Sequence, residues 1–453
     1  MNRSQYWVIA IAASCAAAFV ALPAHAQTYT EVQVSPVGFG DIEFDWGRDG
    51  VSCPNCNYRQ GNARFNWTDT DENLWIGHLD PATGAFTPTD GNNELVDTHA
   101  FFWKKWGNGP EWAFSSRDGA VISQLVYTRY PPDANEYASA AFATMENGVW
   151  VPQYFPGEGG PFPTQLYANT TIQPVPSQCN TDPGALVLFH NIGSPPKMYW
   201  EPVSSAAGTA PTLTPFGSYA NLLVERFVPC THQLVFQGPA PPDSSGNVYA
   251  QIFWYDIDTG AVDQLTTSPY RKHGAFMFRA PEFDDNYVLF TVSNSREIDV
   301  YQQTGTKSDG SPKFTLINQI MSPDLSEPFI NSPEPFINCT PTCQTYIFMT
   351  LSATYDSQTS TTVPNGLAIT NINPAQPFFK ILVPAASRPP KQRLDPEYFI
   401  TAKGPYLYYE RTTVQTDTTP YKTEGEWYID LQLGVPSGAC VGSSAQDGLL
   451  PGC

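Results

Sequence analysis

The sequence is poor in positive charge. Its 453 residues carry 23 Lys and Arg against 43 Asp and Glu, a formal net charge of −20 with the histidines neutral. So acidic a chain stays soluble and is unsuited to nucleic-acid partners. Charged residues of both signs make up only 15%, and apolar positions at helical spacing are scarce, which disfavours βαβ folds. There is no Gly-x-Ser-x-Gly elbow, no His-Glu-x-x-His pair and no phosphate loop, so the hydrolase, metalloprotease and nucleotide-binding signatures are all missing. After the first 26 residues no run approaches the ~20 apolar residues that span a bilayer. Cys53-Pro-Asn-Cys56 has no second Cys-x-x-Cys or His-x-x-x-His to complete a zinc site, and Asn57 stands where haem c attachment needs His.

What is present begins with an export pattern. Arg3 precedes an apolar run from Trp7 to about Leu22, and Ala24-His25-Ala26 is a small-x-small cleavage site. Residues 1–26 therefore read as a signal peptide, with an exported, periplasmic or secreted product of about 425 residues. Eight cysteines follow Cys15: Cys53, Cys56, Cys179, Cys230, Cys339, Cys343, Cys440 and Cys453. An even count in an oxidising compartment predicts disulfides. Cys53–Cys56, Cys339–Cys343 and Cys440–Cys453 are the local candidates, and Cys179–Cys230 would join neighbouring units. Pro (43), Gly (33) and 13% aromatics supply the turns and strand formers of an all-β chain.

One signature repeats: Pro-Glu and an aromatic, a turn, then an apolar strand. The clear copies are Gly109-Pro-Glu111-Trp112, Ala280-Pro-Glu282-Phe283, Ser332-Pro-Glu334-Pro-Phe336 and Asp395-Pro-Glu397-Tyr-Phe399. Weaker copies centre on Glu43, Gln173 and Glu225. The seven anchors lie 52 to 68 residues apart, the period of a four-stranded propeller blade with variable loops. A second element, strand then Asp-x-x-x-Gly or Asp-x-x-Gly turn then strand, recurs in Leu74–Phe86 and Ile252–Thr266, and stops short after Glu426–Leu431. The chain from Thr28 to Val34 alternates like a strand and is placed to supply the missing outer strand, which would close the ring and hide its edges. The sequence thus predicts an all-β, seven-bladed β-propeller over residues 27–433, with a Gly/Ser/Pro-rich tail over 434–453. The Pro-x-aromatic inner strand followed by an apolar-Phe-Thr/Ser strand resembles the TolB-type, WD40-like propeller repeats. Relics of their Ser-Pro-Asp-Gly turn remain at Ser115–Gly119 and Asp284–Asn286. The resemblance implies fold, not activity.

In such a fold the loops leading into inner strands share one face, the top, with the ends of the second strands. Lys104, Lys105, Arg271, Lys272, Arg279, Arg388, Lys391 and Arg393 fall in the first class, with His99 and His273; Arg129, His190, Arg296 and Arg411 fall in the second. Trp103 and Trp106 flank the Lys pair. Arginine grips carboxylates or sulfates bidentately and tryptophan stacks on sugar faces. Two functions follow from this. One is binding of an anionic polysaccharide, or of an envelope or extracellular protein, through Trp103, Lys104, Lys105, Trp106, His190 and Arg393. The other is β-elimination of a uronate glycan, as in the seven-bladed oligogalacturonate and ulvan lyases, with His99, His273, Arg271 and Arg279 as base and charge-neutralising groups. No organic cofactor is expected. The recurrent Glu could brace neighbouring blades or hold a structural cation in the channel, since clustered buried carboxylates repel.

Overall fold

The computed structural model describes residues 29–36, 38–44, 63–80, 83–85, 93–100, 110–117, 120–129, 139–154, 172–176, 186–191, 198–202, 214–216, 223–229, 231–308, 310–340, 342–356, 361–362, 365–384, 391–413 and 422–434. Among them the structure is almost wholly β, and antiparallel throughout. In chain order, the first sheet is Phe39–Phe44, Ala63–Asp69, Leu74–Leu79 and Glu94–Asp97, and the second is Glu111–Arg117, Ala120–Arg129, Ser139–Glu146 and Val149–Tyr154. The third is Ile172–Pro176, Leu186–Asn191, Met198–Pro202 and Thr214–Phe216; the fourth is Leu223–Phe227, Gln233–Pro239, Ala250–Asp256 and Val262–Gln264. The fifth is Lys272–Ala280, Asn286–Ser293, Glu297–Thr306 and Pro312–Met321. The sixth is Phe329–Cys339, Cys343–Ser352, Gly366–Asn371 and Phe379–Ile381, with a small hairpin of Tyr355–Asp356 and Thr361–Thr362 between its second and third strands. The seventh is Lys391–Thr401, Gly404–Thr413 and Thr423–Asp430, to which Val32–Gln33 adds the outer strand, with Val32 opposite Tyr428 and Gln33 opposite Trp427.

The sheets pack face to face in a propeller-like order. Phe278, Phe290, Val300, Ile347 and Met349 fill the space between the fifth and sixth sheets. Phe336, Phe348, Tyr398, Leu407 and Tyr409 fill that between the sixth and seventh. Ile42, Phe44, Phe65, Phe399 and Tyr408 join the seventh to the first. The fifth, sixth and seventh sheets are thus apolar on both faces, which is why their strands read as near-continuous apolar runs such as Tyr287-VLFTV. Burying each of these aromatic side chains contributes on the order of 2–3 kcal/mol.

The repeat has a physical cause that the Pro-Glu spelling only partly conveys. In five sheets the first strand carries one extra residue against its partner. The register jumps between Gly40 and Glu43, Leu223 and Arg226, His273 and Phe276, Asn331 and Glu334, and Leu394 and Glu397. This is a β-bulge. In three of them the residue after the jump begins is left-handed: Gly274 (φ 59°), Ser332 (φ 43°) and Asp395 (φ 46°). Pro333 and Pro396 follow, where a bulge leaves an N–H unpaired and proline loses nothing.

Two anchors are therefore corrected. Glu282 lies in a 3-10 turn, Pro281–Phe283, beyond the end of its strand. The position equivalent to Glu334 and Glu397 is Phe276. Glu282 instead crosses to the sixth sheet, accepting hydrogen bonds from Thr345 N at 2.9 Å and Thr345 Oγ1 at 3.0 Å. In the fourth sheet Glu225 falls inside the bulge and Arg226 takes the anchor position.

The strand and turn of the second repeated element are present in both Leu74–Gly84 and Ile252–Gly260. Gly84 N donates to Asp80 O at 2.8 Å, and Gly260 N to Asp256 O at 2.8 Å. Both glycines are left-handed, at φ 73° and 72°, a conformation that costs glycine nothing. A disulfide joins Cys339 and Cys343 across the end of their hairpin. Cys53, Cys56, Cys179, Cys230, Cys440 and Cys453 lie outside the described residues, as do the 1–26 segment and the 435–453 tail.

Candidate functional site

Arg271 and His273 stand at the start of the fifth sheet's first strand. Lys272 between them points the opposite way, as alternation requires. It is 2% exposed and pairs with Asp299, and burial pushes its ammonium down to about 8. Lys272 is thus a core residue and leaves Arg271 and His273 as the pair that faces the loops.

A tight turn meets them. Asn294, Ser295 and Arg296 join the second and third strands; Arg296 N donates to Ser293 O at 3.0 Å, and the two central residues of that turn, Asn294 and Ser295, both have positive φ, 50° and 55°, as a type I′ turn demands. The turn is pinned on both sides: Asn294 N donates to Arg271 O at 2.9 Å, and Ile330 N of the sixth sheet to Ser295 O at 2.8 Å. Ser295 Oγ lies 3.2 Å from His273 Nε2. Burial, helped by the charge of Arg271, pushes His273 down to about 4. The imidazole is neutral at pH 7.

The sixth sheet completes the cluster. Arg271 Nη1 lies 3.5 Å from Tyr355 Oη, on the hairpin inserted after Ser352. The Tyr355 and Phe329 rings stack at 5.7 Å and 26°. The Arg296 guanidinium sits 4.6 Å over the Phe329 ring. Tyr270, 55% exposed, extends the patch outward. Two arginines and two aromatic rings thus meet in one cluster, with exposed Tyr270 next to it in sequence, an arrangement suited to a carboxylated or sulfated ring. Tyr270, Phe329 and Tyr355 were not selected from the sequence, because no short motif marks them.

Other residues selected from the sequence are placed elsewhere. Arg279 is at the far end of the same strand, roughly 25 Å from Arg271 at ~3.4 Å per residue; it donates to Asp285 O at 3.0 Å and lies 4.3 Å over the Tyr287 ring. The two arginines cannot grip one sugar. Arg393 is fully buried. Its Nε and Nη2 donate to Glu31 at 2.8 and 2.9 Å, and Nη1 to Asn365 O at 2.6 Å. Its donors are consumed within the fold, so it is not a ligand contact. His99 Nδ1 lies 2.9 Å from Thr98 Oγ1. It follows the first sheet, which packs on the second and seventh, whereas His273 belongs to the fifth, which packs on the fourth and sixth. His190 lies in the third sheet's second strand, opposite Gln173 and Met198. Trp103, Lys104, Lys105 and Trp106 are outside the described residues.

The anchor positions form a second cluster. Glu43, Glu334 and Glu397 each follow a bulge, and Glu111 opens its own strand opposite Val126. Glu397 is 5% exposed. Burial raises its carboxyl well above the usual range, and Glu43, Glu334, Asp395 and Glu111 raise it further by repulsion. Burial likewise pushes Glu334 up to about 8, against the pull of Arg226, whose Nη2 is 3.9 Å away. Arg226, at the fourth sheet's anchor position, lies beside Glu334 and 5.4 Å over the ring of Phe276, which takes the anchor position in the fifth.

No family model matches the chain, and no curated protein matches it. Among solved structures 272 chains match. An ancestral GH74 enzyme is 11% identical, with 90% of this chain matching 49% of that one at a TM-score of 0.48. An α-L-arabinofuranosidase from Fusarium graminearum is 9% identical over 77% of this chain and 98% of its own, at 0.40. A TolB-like protein from Agrobacterium tumefaciens is 12% identical over 64% and 88%, at 0.32. Likenesses this distant carry no argument about chemistry.

Proposed function

We propose that the chain is an exported, closed seven-bladed propeller that binds an anionic glycan on its top face, through Arg271 and Arg296 with Tyr270, Phe329 and Tyr355 as stacking surfaces. The closed ring is supported by the packing of the seventh sheet on both the first and the sixth, and by the pairing of Val32–Gln33 with Thr423–Asp430. Export is supported by the Cys339–Cys343 disulfide, a bond of oxidising compartments; among the described residues no helix is long and apolar enough to cross a membrane.

The observation that carries the binding reading is the cation–aromatic cluster at the junction of the fifth and sixth sheets. Each arginine offers a planar fork to a carboxylate, and charge-assisted contacts of this kind contribute about 1.5–3 kcal/mol each. Titration with a galacturonate hexamer tests it. Arg271→Ala and Arg296→Ala should each weaken binding by about 10- to 100-fold, and added salt should weaken the wild type more than the variants. Unchanged affinity in both variants, or equal affinity for a neutral hexamer, would overturn the assignment.

The contact between Arg271 and Tyr355 favours a second reading, β-elimination. The arginine would neutralise the uronate carboxylate, the neutral His273 or Tyr355 would take the C5 proton, the C4–O glycosidic bond would break as the C4=C5 double bond forms, and the departing oxygen would take a proton from the Tyr355 hydroxyl or from water. The product is an unsaturated uronate that absorbs in the ultraviolet. Absorbance that grows with wild type and is abolished in Tyr355→Phe or His273→Ala, with hexamer binding retained, would establish turnover; no growth leaves a binding protein.

A further inference from the structure

We propose that the rim at the loop end of the fourth and fifth sheets docks on a zwitterionic phospholipid surface through Val248, Tyr270, Met321 and Leu325. The inference stands apart from the glycan reading, in which Val248, Met321 and Leu325 take no part.

Among the described residues eight large apolar side chains are exposed, and four of them lie here: Leu325 at 89%, Met321 at 64%, Val248 at 55% and Tyr270 at 55%. In an antiparallel meander the connections from second to third strand and those from one sheet to the next emerge at the same end. Val248 sits in the first kind of connection, in the fourth sheet. Tyr270 and Leu325 sit in the second kind, and Met321 ends the fifth sheet's outer strand. Hydrogen bonds stitch these connections into one rim. Gln251, just after Val248, donates from Nε2 to Tyr270 O at 2.8 Å and to Ser268 O at 3.2 Å. Asn294 N reaches Arg271 O, and Ile330 N, beyond Leu325, reaches Ser295 O. Met321 is paired with Glu297, the neighbour of Arg296.

The tips are also held in place. Asp243 Oδ1 accepts from Ser245 N at 2.8 Å and Asn247 N at 2.9 Å. Ser268 Oγ accepts from Tyr270 N at 3.0 Å, and Asp324 Oδ1 from Ser326 N at 2.9 Å. Four apolar side chains held out in water on one rim mark a contact surface. Two observations select the partner. The apolar tips are borne singly, with polar Asn247, Ser268 and Ser326 between them. A fluid bilayer interface admits separated protrusions without a matching pocket for each, and it favours aliphatic and aromatic side chains there. The charges among the tips are of both signs: Arg271 and Arg296 with Asp243, Glu297 and Asp324. The arginines complement the phosphate of a zwitterionic headgroup and the carboxylates its ammonium. An anionic bilayer would repel a chain of net charge −20.

The test is flotation of the mature chain with vesicles of phosphatidylethanolamine and phosphatidylcholine. The wild type should float. Val248→Ser, Met321→Ser and Leu325→Ser should each weaken binding by about 3- to 10-fold, and the triple variant should stay behind. All three side chains are exposed, so melting temperature and galacturonate-hexamer affinity should be unchanged. Val149 is also 64% exposed, but it follows the turn between the third and outer strands of the second sheet, at the opposite end; Val149→Ser should float as the wild type does. Substituting phosphatidylglycerol for half of the phosphatidylcholine should weaken binding at low salt, and added NaCl should restore it. A wild type that does not float, a triple variant that floats undiminished, or tighter binding to the phosphatidylglycerol vesicles would overturn the proposal. Self-association that the triple variant loses, without flotation of the wild type, would overturn it in favour of a second copy of the chain. None of these results alters the reading of the hexamer titrations.

Discussion

Replacing Glu31 with Ala should loosen the seam that joins the two ends of the chain. Glu31 precedes the Val32–Gln33 strand and reaches across to the seventh sheet. Its carboxylate accepts bonds from Arg393 Nε at 2.8 Å, Arg393 Nη2 at 2.9 Å and Tyr409 Oη at 2.6 Å, and Arg411 lies 4.0 Å away. The Arg393 side chain is fully buried, so the truncation strands a guanidinium that water cannot reach. Removing one partner of a buried ion pair costs about 3–5 kcal/mol. For a chain of this size that is a fall of about 3–6 °C in melting temperature.

The same pair has a pH signature. Burial works against the Glu31 carboxylate, but the bonds from Arg393 and Tyr409 and the charges of Arg393 and Arg411 outweigh it and hold the carboxyl below its usual range. Its contribution is therefore complete above about pH 4.5 and is lost as the pH falls through the depressed value. Thermal melts of wild type, Glu31→Ala, Arg393→Met and the double variant should show non-additivity. The double variant should be more stable than Glu31→Ala alone, because the stranded charge is gone. Proteolysis should also release the N-terminal strand sooner in Glu31→Ala. A loss below ~1 kcal/mol, or strict additivity, would show that the pair does not hold the seam.

The remaining predictions are shorter. His273 is held neutral by burial, at about 4 against an ordinary 6.5, so the unfolded chain takes up a proton first and stability declines as the pH falls from about 6.5 towards 4; His273→Asn should flatten that part of a stability–pH profile measured by denaturant midpoints. Cys339→Ser should cost about 2 kcal/mol, the loop entropy of so short a ring, read as a lower denaturant midpoint that dithiothreitol reproduces in the wild type. Gly274→Ala places a Cβ at φ 59° with no contact closer than 3.8 Å, so the loss is conformational alone, about 1–2 kcal/mol, read as a lower denaturant midpoint.

How far the sequence could be read depended on whether a signal was local. The bulges at Ser332-Pro-Glu334 and Asp395-Pro-Glu397 were legible because a bulge needs a left-handed residue and tolerates proline next to it, and both demands leave a spelling. The fifth sheet makes the same bulge with His273-Gly-Ala-Phe276, in which glycine meets the left-handed demand and no proline is needed. Ala280-Pro-Glu282 carried the expected letters six residues later, where they form a turn. Arg393 looked like a ligand contact because its partner, Glu31, lies 362 residues away. Arg279 was grouped with Arg271 because position in a loop class says nothing about which end of a nine-residue strand a side chain occupies. Tyr355 sits on a hairpin inserted within the sixth sheet, and an insertion has no period to betray it.

Where the repeat fails is informative in its own right. The fold's needs are met in the same way several times over: a bulge, an apolar face on each side, a second strand buried between neighbours. A residue that departs from that pattern is not required by it. The fifth sheet departs twice. At the anchor position it has Phe276 where the first, sixth and seventh sheets have glutamate. At its top it sets Ser295 at φ 55° beside a neutral His273, and holds that turn rigid from both sheets. A left-handed serine costs about 1 kcal/mol or more where glycine or asparagine would cost less. An asparagine already occupies the preceding position, so the turn did not lack permissive residues. The serine hydroxyl fixes the His273 ring, and His273 in turn backs the strand that presents Arg271. The strain is thus tied to the placement of Arg271, whose Nη1 lies 3.5 Å from Tyr355 Oη, and substituting Ser295→Gly should relieve it: the variant should be at least as stable as the wild type, and weaker in binding a galacturonate hexamer. A variant that loses stability and keeps full affinity would mean that the turn serves the fold alone.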